Sequence, residues 1–224
     1  MLRRALVVGG TGLVGSRCVA HLADHASYRD VTCLVRRPGI ATRTRDKLHE
    51  RVVDFSVLQP SDVTPVDDVF CAIGTTMKKA GSRETFRHVD FELPLRVAEL
   101  AVSVGAKRLA LVSSVGADAG SSNFYLRTKG ELEEALAKLP LAAFHVFRPS
   151  LLLGPREESR PGEAIASVLS RATKVLLVGK LRKYRPIEAD VVARAMVAAM
   201  VAPDPTPPRR NYEHDAIVDL AGRT

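Results

Sequence analysis

The chain has no tryptophan, only three cysteines, and no apolar run that approaches the length of a membrane span. Cys33 and Cys71 fall in strand-like apolar runs and Cys18 in the first helix-like segment. An odd number so placed reads as reduced core residues in a reducing compartment, which predicts a cytoplasmic protein. No C-x-x-C or H-E-x-x-H spacing occurs and the six histidines are scattered, so no metal site is expected. Internal repeats are absent as well. Met1-Leu2-Arg3-Arg4 before Ala5-Leu6-Val7-Val8 has the look of a signal peptide. Glycines break that apolar segment, and the rest of the chain continues the fold it begins, so it reads as a first strand.

What is present is ordinary in amount and specific in order. The 224 residues, 46% hydrophobic and 26% charged, suffice for one α/β domain with a large core. A formal net charge of +8 suits acidic ligands or anionic surfaces, or is no more than a basic pI. The cluster Arg171, Lys174, Lys180, Arg182, Lys183 and Arg185 reads either as a site for an anionic substrate or acidic partner or as a solvated basic face. It lacks interleaved aromatics apart from Tyr184, so nucleic acid is not the expected partner, and with no apolar run of spanning length neither is a membrane.

Apolar strand-like runs alternate with helix-like segments. Strands are predicted at Arg4–Val8, Val31–Val35, Arg51–Val53, Asp67–Ala72, Arg108–Val112 and Ala143–Phe147. Helices are predicted at Leu13–Asp24, Glu84–Val104 and Phe124–Leu139, with another after strand two. Strands that are apolar without alternation mean a parallel sheet buried on both faces, doubly wound, with a ligand crevice at the strands' carboxyl ends. Residues 150–224 read as a small substrate cap on a single 1–224 domain. Helices are expected there at Pro161–Thr173 and Glu188–Val201, with a last strand and short helix within Asn211–Gly222.

Gly9-Gly10-Thr11-Gly12-Leu13-Val14-Gly15 follows the first strand directly and opens the first helix. Glycines at 9, 12 and 15 let a dinucleotide pyrophosphate approach the turn and meet the N–H groups of the helix start, with Thr11, Leu13 and Val14 alongside. Strand two ends in Arg36-Arg37-Pro38, where an NAD site usually has an acidic residue. Two guanidinium groups suit a 2′-phosphate, so NADPH is expected over NADH. Asp54 either accepts from the adenine amino group or is a turn residue. Ala72, Gly74 and Thr75, at the end of strand four, let the cofactor ribose approach the backbone.

Tyr125 and Lys129 are four apart on a helix and so share a face. The cation would favour the phenolate and make Tyr125 a usable proton donor and acceptor. Ser113 and Ser114 close strand five beside the expected nicotinamide, and alternation selects Ser114 to orient a substrate oxygen.

The glycine turn, the strand-five serine and the Y-x-x-x-K pair together resemble the short-chain dehydrogenase/reductase superfamily, over nearly the whole chain. Three runs resemble its atypical group that includes the Tat-interacting oxidoreductase. They are Gly74-Thr75-Thr76 with Phe86-Arg87-His88-Val89-Asp90, Ser122-Asn123-Phe124-Tyr125 through Lys129-Gly130-Glu131, and Phe147-Arg148-Pro149 through Glu158–Glu163. The resemblance implies a nicotinamide-dependent oxidoreductase with Ser114, Tyr125 and Lys129 catalytic and with Pro149 and Ser150 bordering the nicotinamide. Two alternatives stay open: a cofactor-binding regulatory or sensor protein with little turnover, and an epimerase or dehydratase that keeps its cofactor bound. Monomer and homodimer are both compatible. Many members of the superfamily carry an asparagine in the long central helix; here that helix has none, and Asp90 lies near the comparable place.

Overall fold

Ala5-Leu6-Val7-Val8 is apolar at every position because both faces of its strand are covered. Ala5 and Val7 join one core while Leu6 and Val8 join the other. The computed structural model of the protein describes residues 2–39, 46–154 and 177–223. In chain order the elements are β1 (Arg3–Val8), α1 (Leu13–Asp24), β2 (Tyr28–Val35), β3 (Leu48–Val52), β4 (Asp68–Cys71), α2 (Met77–Ala80), α3 (Arg83–Arg87), a π-helical turn (His88–Glu92) and α4 (Leu93–Ser103). They continue with β5 (Arg108–Val112), α5 (Phe124–Leu136), β6 (Ala143–Phe147), β7 (Leu152–Leu153), β8 (Ile187–Glu188), α6 (Ala189–Val201), β9 (Arg209–Tyr212) and α7 (His214–Ala221).

Seven strands form one parallel sheet in the order β3-β2-β1-β4-β5-β6-β9. The chain winds outward from β1 in one direction and from β4 in the other. The switch point between them opens at the strands' carboxyl ends, where ligands of such sheets bind. α1 and α6 pack on the face that carries Val7, Cys33 and Phe70; α4 and α5 pack on the face that carries Val8, Cys71 and Leu111. All three cysteines are buried and free.

Four expectations change. The single helix 84–104 is replaced by short helices and a π turn. Pro94 has no N–H to donate, and in a regular helix its ring would strike the carbonyl of Asp90, so the chain widens over His88–Glu92 before α4 begins. α5 ends at Leu136 because Pro140 disfavours helix in the residue before it. No helix follows β2 among the described residues. The cap also narrows. α6 packs on the sheet and β9 extends it, so the described residues beside the main layers are 150–154 and 177–188, joined by the two-stranded β7–β8 pair. The predicted helix 161–173 lies outside the described residues.

Candidate active site

The glycine turn is built by close approach. Gly9 has φ +84°, and a Cβ there would lie 2.5 Å from the Ala72 carbonyl oxygen. A Cβ at Gly15 would lie 2.1 Å from the Gly9 oxygen. Side chains at these two positions would push apart β1, α1 and the end of β4. Gly12 differs: a Cβ there would meet only the Gly9 oxygen, at 3.2 Å. Its open side is the cradle a dinucleotide phosphate needs. Gly12 also caps α1 with no side-chain hydrogen bond, which leaves the helix-start N–H groups for an anion. The residues present therefore fit a dinucleotide.

Arg36 and Arg37 stand exposed immediately beyond β2 and make no ion pair among the described residues. Asp54 is exposed, and its Oδ1 accepts from both the Ser56 backbone N–H (2.9 Å) and the Ser56 hydroxyl (2.7 Å). These bonds hold its carboxyl below the usual carboxylate range. Asp54 thus has the geometry of a turn residue, and its exposed carboxylate remains the adenine candidate of the sequence reading.

Ser113 and Ser114 part ways at the crest of β5. Ser113 is buried, and its hydroxyl donates to Glu133 Oε1 at 2.6 Å. Ser114 lies between two ladder bonds, Ser113 N–H to the Phe147 oxygen (2.7 Å) and Val115 N–H to the Pro149 oxygen (3.0 Å), and is half-buried. Of the two, only the Ser114 hydroxyl is free of a buried carboxylate. Pro149 is itself buried there, and the Ser150 hydroxyl donates to the Arg185 oxygen.

Tyr125 and Lys129 stand on one face of α5. The Tyr125 ring packs against Phe86 of α3, centroids 5.5 Å apart. Lys129 is buried, and its Nζ lies 2.7 Å from Asp90 Oδ1, whose residue is fully buried in the π turn. Asp90 Oδ2 accepts the Thr75 N–H at 2.8 Å. Burial alone would push Lys129 down, but the Asp90 carboxylate and its hydrogen bond outweigh it, and the ammonium sits above the usual lysine value. The sequence reading related Lys129 to Tyr125 alone. The structure pairs it.

Glu133, one turn beyond Lys129, is a residue that reading missed. Its carboxylate takes Ser113, both Arg148 Nε (3.0 Å) and a terminal Arg148 nitrogen, and Arg209 (2.7 Å), tying α5 to β5, β6 and β9. The four-residue spacing of 125, 129 and 133 was the signal. Gly130 was also passed over: a Cβ there would lie 2.2 Å from the Ala119 nitrogen, so the loop after Ser114 lies flat on α5. The basic cluster is largely paired where it is described. Arg182 meets Asp215 at 3.0 Å, Lys183 meets Glu213 at 3.9 Å, and Arg185 donates to the Leu177 oxygen at 2.8 Å. Arg171 and Lys174 lie outside the described residues.

A doubly wound parallel sheet, with a glycine turn at β1–α1 and a serine, tyrosine and lysine where β5 meets α5, defines a dinucleotide-binding protein of the short-chain dehydrogenase/reductase type. The chain belongs to the NAD dependent epimerase/dehydratase family, which it matches over residues 5–213. It is 35% identical over 196 residues to Protein FMP52, mitochondrial, of Candida albicans, covering 85% of each chain. It is 36% identical over 169 residues to Protein HTATIP2 of Rattus norvegicus, covering 73% of this chain and 69% of that one. Among solved structures, MoeE5 in complex with UDP-glucose and NAD superposes with a TM-score of 0.69 at 20% identity, covering 98% of this chain and 81% of that one. The fungal relatives' mitochondrial naming overturns the cytoplasmic expectation. Buried reduced thiols report burial and a reducing setting, and neither specifies the compartment.

Proposed function

We propose that the protein is an NADP(H)-dependent oxidoreductase that acts on a carbonyl or alcohol carbon of a small molecule. The observation that supports this reading is the placement of Ser114 just beyond β5 and of Tyr125 and a buried, charged Lys129 four residues apart on α5. Backbone N–H groups of Thr11–Gly15 would receive the pyrophosphate, and Arg36 and Arg37 the 2′-phosphate. Gly74, Thr75 and Pro149 would border the ribose and nicotinamide. When bound, the nicotinamide supplies or accepts the hydride. Ser114 orients the substrate oxygen, Tyr125 exchanges the proton at that oxygen, and Lys129 donates hydrogen bonds to the nicotinamide ribose. Residues 150–154 and 177–188 would border the substrate.

The family match supports a second reading, an epimerase or dehydratase that holds its cofactor through each cycle. Stoichiometric nicotinamide in the purified protein would select it. A sensor without turnover has less support, because sensing alone does not need Ser114, Tyr125 and Lys129 together. The test of the first reading is Tyr125→Phe, assayed by NADPH consumption over a panel of carbonyl compounds. Turnover is expected to fall by about 10²–10⁴-fold with cofactor binding kept. A variant as active as the parent would contradict the role of Tyr125.

A further inference from the structure

Asp90 gives up water completely, at 0% exposure, to meet a lysine whose side chain is 6% exposed. Taking both charges out of water is costly, so the pair survives only with good geometry and further hydrogen bonds. The approach is close and one further hydrogen bond is present, although Oδ1 makes no hydrogen bond of regular geometry among the described residues. The Asp90 Oδ1–Lys129 Nζ distance is 2.7 Å, and Oδ2 is held by the Thr75 N–H at 2.8 Å. The pair lies directly under the β4 crest: a Cβ at Gly74 would be 3.4 Å from Asp90 Oδ1 and 3.7 Å from Lys129 Nζ.

We propose that Asp90 is a positioning residue, whose carboxylate keeps the Lys129 ammonium charged and fixed beneath the β4 crest. Its bearing on turnover rests on the reading given under Proposed function; the ion-pair part stands by itself. Three titratable groups from three elements face Lys129. Tyr125 precedes it on α5, Asp90 comes from the π turn, and Cys71 ends β4. Burial pushes the Cys71 thiol up to about 11, so it is uncharged at neutral pH, and Cys71 and Tyr125 support the ammonium less than Asp90 does. The supporting carboxylate is Asp90. An asparagine in its place could accept the Thr75 hydrogen bond but could not balance a buried cation. Tyr125 therefore stands beside a compensated pair, and Lys129 serves as a fixed hydrogen-bond donor more than as a bare charge.

The test is an NMR titration of the cofactor-free protein carrying [13Cε]-lysine, with the Lys129 signal assigned by Lys129→Met. In the parent, Lys129 is expected to keep its protonated shift to at least about pH 10, beyond the range where exposed lysines begin to titrate. In Asp90→Asn the burial penalty is unopposed, and the midpoint should fall below the ordinary lysine value by at least about one pH unit. A parent midpoint at or below the ordinary value, or an unchanged midpoint in Asp90→Asn, would overturn the proposal. Should Asp90→Asn not fold, the parent titration decides by itself. A parallel titration with NADPH and NADH separates the two claims. If neither binds, the cofactor reading fails while the Lys129 midpoints, measured without cofactor, still decide the role of Asp90.

Discussion

Two buried carboxylates, Asp90 and Glu133, hold the face of α5 on which Tyr125 and Lys129 stand. Each is tied to cations and to the crest of a neighbouring strand, so the helix cannot rotate without breaking a desolvated ion pair. Another buried titratable residue, His145 on β6, feels the Asp204 carboxylate, but burial outweighs it. Its Nδ1 meets the Tyr212 hydroxyl at 2.9 Å, and burial pushes the imidazole down to about 4. The sign follows from linkage. Unfolded His145 takes up a proton near its ordinary value, and the folded residue resists until about pH 4. Its contribution is therefore intact above about pH 6.5 and is lost as pH falls through about 4, by about 3 kcal/mol in total. Urea unfolding near pH 7 and near pH 4.5 should show a smaller loss of stability in His145→Gln than in the parent. Equal losses would contradict the assignment. At this scale the sequence was informative about placement where spacing fixes it, as with Tyr125 and Lys129, four apart on α5. It was silent on Asp90's pairing, because that contact joins residues thirty-nine positions apart across two elements.

At the scale of elements, the helix-turn boundaries carry the site. β5, β6 and α1 were legible to within a residue, because continuous apolar runs and a glycine turn fix them locally. The central helix was not. Its apolar positions Val97, Leu100 and Ala101 do face the core, yet Pro94 was passed over as the point where the ladder must widen. The π turn this creates is the segment that delivers Asp90 to Lys129. Gly130 shows the opposite case, a residue that weakens its own helix for the sake of a neighbour. Replacing glycine by alanine inside a helix should gain up to about 1 kcal/mol from propensity. Here the new Cβ would lie 2.2 Å from the Ala119 nitrogen and 2.3 Å from the Asp118 carbonyl carbon, both backbone atoms. Overpacking of that kind costs about 1–3 kcal/mol, so the clash wins. Gly130→Ala should unfold at lower urea concentration than the parent and displace the loop that follows Ser114. A variant as stable as the parent would show that the loop does not lie on α5 as described.

Across the whole molecule, the doubly wound sheet was legible because parallel strands buried on both faces leave a run of apolar residues, as in β1, β2, β4, β5 and β6; the edge strand β3, Leu48-His49-Glu50-Arg51-Val52, has none. β9 was harder: Arg209-Arg210-Asn211-Tyr212 is a polar edge strand, and the pairing with β6 that defines it is not visible in its own sequence. The net charge of +8 also read differently in three dimensions. Arg182 and Lys183 are paired with acids of and beside α7, whereas Arg36 and Arg37 stand exposed beyond β2 without an ion pair among the described residues. That contrast makes the β2 end, more than the basic stretch 171–185, the place to look for an anion. The most direct test is a titration of the purified protein with NADPH and, in parallel, NADH, followed by nicotinamide fluorescence, for which a chain without tryptophan is well suited. NADPH should bind at least about tenfold more tightly than NADH, and an Arg36→Ala, Arg37→Ala double variant should abolish the difference. Equal or tighter binding of NADH would contradict the phosphate site, and binding of neither would contradict the cofactor reading as a whole.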